Sequence, residues 1–83
     1  MIPKIIHYCW FGGSVMPAEY EQYIKEWYEL HPDWEIIKWD ESNFPADNEY
    51  IITALKEGNW ANASNYARFH VLKDYGGIYL DVD

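Results

Sequence analysis

The sequence predicts an α/β fold, and three observations carry that prediction. A β-branched and aromatic run occupies residues 4–11, an amphipathic helical pattern over 17–30 leads into a second strand-like run at 34–39, and a later helix stops on Gly76 and passes directly into a third. Strands that alternate with helices of this length are the pattern of βαβ units built on a parallel sheet. The chain has 83 residues, 49% of them hydrophobic and 19% aromatic, with five Trp and eight Tyr. That is the composition of a folded protein, large enough for one small core and one domain at most.

The first run, Lys4-Ile5-Ile6-His7-Tyr8-Cys9-Trp10-Phe11, is rich in β-branched and aromatic residues and ends at Gly12-Gly13. It suits a central strand buried on both faces. Pro17 suits the first turn of a helix, and Tyr20, Ile24, Trp27 and His31 then recur at helical spacing, so a helix is expected over 17–30. Pro32 ends it, and Trp34 to Trp39 form the second strand. Residues 40–48, with Pro45 and several acids, read as a solvated loop. A short helix is expected over 49–57, through Tyr50, Ile51, Ala54 and Leu55, stopping at Gly58.

The next helix starts from Asn59 or Asn62 as cap and runs to Tyr75. Helical spacing puts Ala61, Asn65, Arg68 and Leu72 on one stripe, so two polar groups would interrupt an otherwise apolar face. A guanidinium there needs an acid or a phosphate, or must reach outward. The helix passes through a two-glycine turn into a strand over 76–83, tipped by Asp81 and Asp83. Side chains alternate along a strand, so the two acids share one face. They repel unless a cation lies between them, and a hard divalent ion, Mg²⁺ or Mn²⁺, fits better than zinc because no Cys or His accompanies them. An isolated Asp-x-Asp is more often a solvated strand end; here the packing of the helix beside the strand brings Asn65 and Arg68 toward the acids. Trp10, at the tip of the first strand, belongs to the same edge, where ligands of open α/β sheets bind.

A formal charge of -8 with only six Lys and Arg excludes nucleic acid as the main partner. Cys9, the single cysteine, lies in an apolar run and reads as a core thiol rather than a nucleophile. His7, His31 and His70 lack metal-ligand spacing and read as packing or surface residues. The amino-terminal apolar run is too short for a signal-peptide core or a membrane span, so the expected location is cytoplasmic. Two functions are compatible with these residues: an enzyme with a divalent-cation seat at the acid pair, and a small acidic α/β interaction module without activity.

Four blocks favour the first. Ile2-Pro3-Lys4-Ile5-Ile6-His7, Trp10-Phe11-Gly12-Gly13, Ala63-Ser64-Asn65-Tyr66-Ala67-Arg68 and Gly76-Gly77-Ile78-Tyr79-Leu80-Asp81-Val82-Asp83 together resemble the DxD sugar transferases of glycosyltransferase family 32. That family includes capsular-polysaccharide sugar transferases and α-mannosyltransferases. The resemblance implies a GT-A fold and metal-dependent transfer from a nucleotide-sugar donor to an acceptor hydroxyl, with retention at the anomeric carbon. It also implies a saccharide or glycolipid acceptor and peripheral attachment to a membrane in a longer protein. By the same resemblance, Trp10 stacks on the base, with Phe11 and Gly12 beside it in the donor site. Asn65 and Arg68 hold the donor, Asp81 contacts ribose and sugar directly or through the metal, and Asp83 is a direct ligand of Mn²⁺ or Mg²⁺. The family usually has Asp where this chain has Asn65, which keeps one acceptor oxygen but loses the charge. Residues 1–83 are then expected to be the donor-binding amino-terminal part of a larger transferase domain, inactive alone and prone to self-association through an unpaired strand edge.

Overall fold

The computed structural model describes residues 2–45 and 47–81. Its elements follow in the order β1 (Ile5–Cys9), α1 (Ala18–Leu30), β2 (Glu35–Trp39), α2 (Glu49–Lys56), α3 (Trp60–Tyr75) and β3 (Ile78–Tyr79). The three strands form a parallel sheet in the order β2-β1-β3, with Ile5 opposite Glu35 and His7 opposite both Ile37 and Tyr79. β1 is the central strand, and four of its five residues are buried.

Helices cover both faces of the sheet. On one, Tyr8 and Ile24 pack with the half-buried Trp10, Met16, Tyr20, Trp27 and Ile36 beneath α1. On the other, Cys9, Phe11 and Trp39 meet Phe44 and the inner residues of α2 and α3. The alternation along β1 therefore sends Tyr8 to one layer and Cys9 to the other. The chain steps from β1 to β2 under α1, then returns past β1 to β3 by way of α2 and α3 on the opposite face. Right-handed crossovers require this change of face when the direction across the sheet reverses. The carboxyl end of β1 is thus a topological switch point, where a crevice opens.

Three expectations change. The buried stripe of α3 is Ala63, Ala67 and Val71, not the one through Ala61, Asn65, Arg68 and Leu72. Two alanines and a valine at four-residue spacing let the helix lie close to the sheet, which turns Asn65 and Arg68 onto an exposed flank. Among the described residues the ladder of β3 spans Ile78 and Tyr79; it starts two residues later than expected because Gly76 closes α3 with φ 72° and Gly77 completes the turn at φ 88°, and the end of the expected strand, at 82–83, lies outside the described residues. Pairing nonetheless continues one bond further, from Leu80 N–H to the His7 carbonyl at 3.0 Å. Loop 40–48 is not wholly solvated: Phe44 is buried and meets Phe11, Trp39 and Tyr66 edge-on. That single ring fastens the β2–α2 connection to the core.

The helix ends obey local chemistry. Asn48 caps α2 by accepting from Ile51 N–H at 3.1 Å, and Asn59 caps α3 by accepting from Asn62 N–H at 3.2 Å. Pro17 precedes α1 without a side-chain cap bond.

Candidate functional site

A cleft of about 370 Å³ opens at the carboxyl edge of the sheet, lined by residues from β1, the loop after it, α3 and β3. Its floor is Cys9, Phe11 and Tyr79, and its walls carry Trp10, Trp60, Asn65 and Asp81.

β1 ends at Cys9, so Trp10 stands just beyond the ladder, still tied to β2 by its backbone N–H to the Trp39 carbonyl at 2.9 Å. Its indole N–H donates to the Ser14 carbonyl at 2.8 Å, and its ring meets Tyr20 edge-on with centroids 6.0 Å apart. These contacts fix the indole as a wall of the cleft. Phe11 is 5% exposed and belongs to the core, reaching the cleft only from below. Gly12 presents no side chain; its N–H donates to both oxygens of the Glu41 carboxylate, at 3.0 and 3.1 Å.

The flank of α3 supplies Asn65 to the cleft, and both Asn65 and Arg68 are exposed. Arg68 takes the outward course: its guanidinium carbon lies 5.8 Å from the centroid of the Tyr79 ring, a cation–π contact over the residue that leads to Asp81. Burial pushes the Tyr79 phenol well above its ordinary range, with Cys9 and Asp81 adding to the shift. The Cys9 thiol is pushed up to about 11, chiefly by burial; Tyr79 and Arg68 oppose the shift and Asp81 adds to it. Cys9 is therefore an inert core thiol at neutral pH. The acid, the phenol, the thiol and the guanidinium form one electrostatic neighbourhood.

Trp10, Asn65 and Asp81 thus share one cleft, with Arg68 attached to it through Tyr79, whereas Gly12 does not line it and lies beneath the Trp60 indole. Asp83 lies outside the described residues. Among the described residues no group of three or more His, Cys, Asp or Glu could hold a metal by itself. A hard cation that keeps water and phosphate ligands needs only one or two carboxylates. The exposed carboxylate at the cleft, Asp81, has the chemistry for that role.

Five contributors escaped the sequence reading. Trp60, Ser14 and Ser64 line the cleft, and Glu41 occupies the Gly12 amide. Trp60 is 41% exposed, and its indole covers Gly12. The helical line that carries Arg68 runs back through Ser64 to Trp60 in steps of four, so the signal for both was present. Tyr79 was legible in the same way, since it alternates with Asp81 along the strand.

Residues 17–83 match the profile of a family described as the glycosyltransferase sugar-binding region containing the DXD motif. The chain belongs to this family. The chain is 34% identical over 90 residues to an uncharacterized glycosyltransferase of Acanthamoeba polyphaga mimivirus, covering all of this chain and 36% of that one. It is 31% identical over 87 residues to inositol phosphoceramide mannosyltransferase 3 of Schizosaccharomyces pombe, covering 99% of this chain and 24% of that one. With a mannosyl phosphorylinositol ceramide synthase of Saccharomyces cerevisiae the identity is 27% over 88 residues, covering 100% and 23%. The DXD-region chain therefore spans about a quarter to a third of the length of these relatives. No solved structure matches it.

Proposed function

We propose that this chain is the amino-terminal, donor-binding part of a metal-dependent glycosyltransferase of family 32 with a GT-A architecture. The reaction is transfer of a sugar from a UDP- or GDP-sugar to the hydroxyl of a saccharide or glycolipid acceptor, with retention. The names of the relatives favour mannose as the sugar and an inositol-containing sphingolipid as the acceptor. One observation carries the reading: Trp10, Asn65 and Asp81 come from three separate elements and line the same cleft. Family membership then favours a transferase over an acidic interaction module.

In this reading the indole of Trp10 stacks on the base, and the Asn65 amide bonds sugar hydroxyls. Arg68 supplies positive charge near the donor phosphates, and Asp81, with Asp83, holds Mg²⁺ or Mn²⁺. Such a cation would neutralise charge developing on the departing diphosphate. Asn65 both donates and accepts, so it does not repel an anionic donor as a carboxylate would. A cytoplasmic location, peripheral membrane attachment and self-association of the isolated chain belong to the same proposal. Among the described residues no helix is long and apolar enough to cross a membrane.

The test is calorimetric titration of UDP- and GDP-sugars into the full-length enzyme, with and without Mn²⁺. Binding of one donor class that requires the metal, and that is lost in Asp81→Asn and Asp83→Asn, is the expected result. Donor binding indifferent to Mn²⁺ and to both substitutions would remove the reading. Light scattering over a concentration series decides self-association.

A further inference from the structure

One fully buried side chain with proton-transfer capacity has no part in the donor site. His7 is 0% exposed and lies at the middle of the central strand. Both of its ring nitrogens are engaged. The Trp39 indole N–H donates to Nδ1 at 3.0 Å, and Nε2 lies 2.8 Å from the Gly76 carbonyl oxygen. An indole can only donate and a carbonyl can only accept, so Nδ1 is bare and Nε2 carries the proton. The ring is therefore neutral and held in one tautomer by its neighbours.

The same residue holds the sheet a second time through its backbone. His7 faces Tyr79 in the β1–β3 register, and its carbonyl accepts the Leu80 N–H at 3.0 Å. Gly76 and Leu80 flank β3, which is only two residues long. A strand so short has few ladder bonds of its own, so these two grips contribute a large share of what fixes its position. Asp81 follows Leu80 directly.

We infer that His7 is a positioning residue for the acid-bearing strand. Its ring and its carbonyl hold β3 at both ends, and Trp39 keeps the ring in the tautomer that can donate to Gly76. The consequence for Asp81 rests on the reading of that acid as a donor and metal contact; the grip on β3 does not.

Two substitutions separate the two ring nitrogens. The amide of His7→Gln reaches the position of Nε2 and keeps a donor for Gly76, whereas the shorter His7→Asn reaches only the position of Nδ1. Amide hydrogen exchange on the chain, without ligand, reads the grip directly. In His7→Asn the Leu80 amide is expected to exchange about tenfold faster relative to the β1–β2 amides of Trp10 and Glu35, and His7→Gln to restore it. Equal behaviour of the two variants, or an even loss of protection across all three strands, would reduce His7 to ordinary core packing. Should His7→Asn fail to fold, Trp39→Phe gives the second reading. Imidazole ¹⁵N spectra are then expected to lose the single Nε2–H tautomer and Leu80 its protection, and no change in either would overturn the inference. Titration of the full-length enzyme with Mn²⁺ and a nucleoside diphosphate supplies the functional arm, with affinity expected to fall about tenfold in His7→Asn but not in His7→Gln. Selective loosening of Leu80 in an enzyme that binds no Mn²⁺ at all would support the grip and remove the metal reading of Asp81.

Discussion

Two pairs of glycines border the central part of the sheet, and they do different work. Gly12 and Gly13 follow the carboxyl end of β1, while Gly76 and Gly77 precede the amino end of β3, and all four have positive φ. The difference lies in what a side chain would meet. A Cβ on Gly77 would sit 2.4 Å from the Ile5 carbonyl oxygen, part of the neighbouring strand's backbone. A Cβ on Gly12 would sit 2.8 Å from the Trp60 indole, and one on Gly13 would meet nothing within 4 Å. Backbone in a central strand cannot retreat, whereas a part-exposed indole can rotate. The same dipeptide lets two backbones meet at one end of the sheet and seats the Trp60 indole at the other.

The comparison is broken most directly at Gly77. Gly77→Ala combines an unfavourable φ with a collision against backbone, and a loss of about 3 kcal/mol or more is expected. Urea denaturation measures it, and a loss below about 1 kcal/mol would show that the turn can move away from β1. Gly12→Ala is expected to cost less, about 1–2 kcal/mol, and to change Trp fluorescence as the Trp60 indole is displaced. Gly13→Ala carries only the conformational penalty, about 1 kcal/mol, and no change in fluorescence. If Gly12→Ala and Gly13→Ala prove equal in both measurements, the indole does not rest on Gly12 in solution.

The smallest effect is in the pH dependence, and it comes from the floor of the cleft. Cys9 is raised from its ordinary 9.0 to about 11, so the folded state holds that proton more tightly than the unfolded chain does. Its contribution is fully present below pH 9 and is lost as pH rises through 11. Stability is expected to fall across that interval, and Cys9→Ala to flatten the early part of the fall. Tyr79, whose phenol is also raised, keeps its share to higher pH. Resistance of Cys9 to alkylation at neutral pH in the folded chain checks the burial independently.

Much of this was legible in the sequence because periodicity marks it. The run at residues 4–11 announced a strand buried on both sides, and β1 is the centre of the sheet. The spacing of Tyr20, Ile24 and Trp27 found the inner face of α1. Asn65 and Asp81 were placed together from a helix followed by a turn and a strand, and they line one cleft. What periodicity could not decide was the rotation of α3. Its stripes through 61 and through 63 are both plausible, and the choice falls to close packing of Ala63 and Ala67 on the sheet. The role of Phe44 was hidden in a segment of turn-forming residues. The bonds of His7 were hidden for another reason: its partners, Trp39 and Gly76, are 32 and 69 residues away, and no local pattern encodes them.

The change of direction across the sheet at β1 has a further consequence. The connections after β1 and β2 leave the sheet through residues 10–17 and 40–45 at the edge that bears the cleft, whereas the turn into β3 lies at the opposite edge, beneath Ile5 and His7. Insertions or exchanges in the first two can remodel what enters the crevice while leaving the opposite edge, and the order of the strands, undisturbed. A scaffold divided in this way is suited to diversifying its specificity without refounding its architecture.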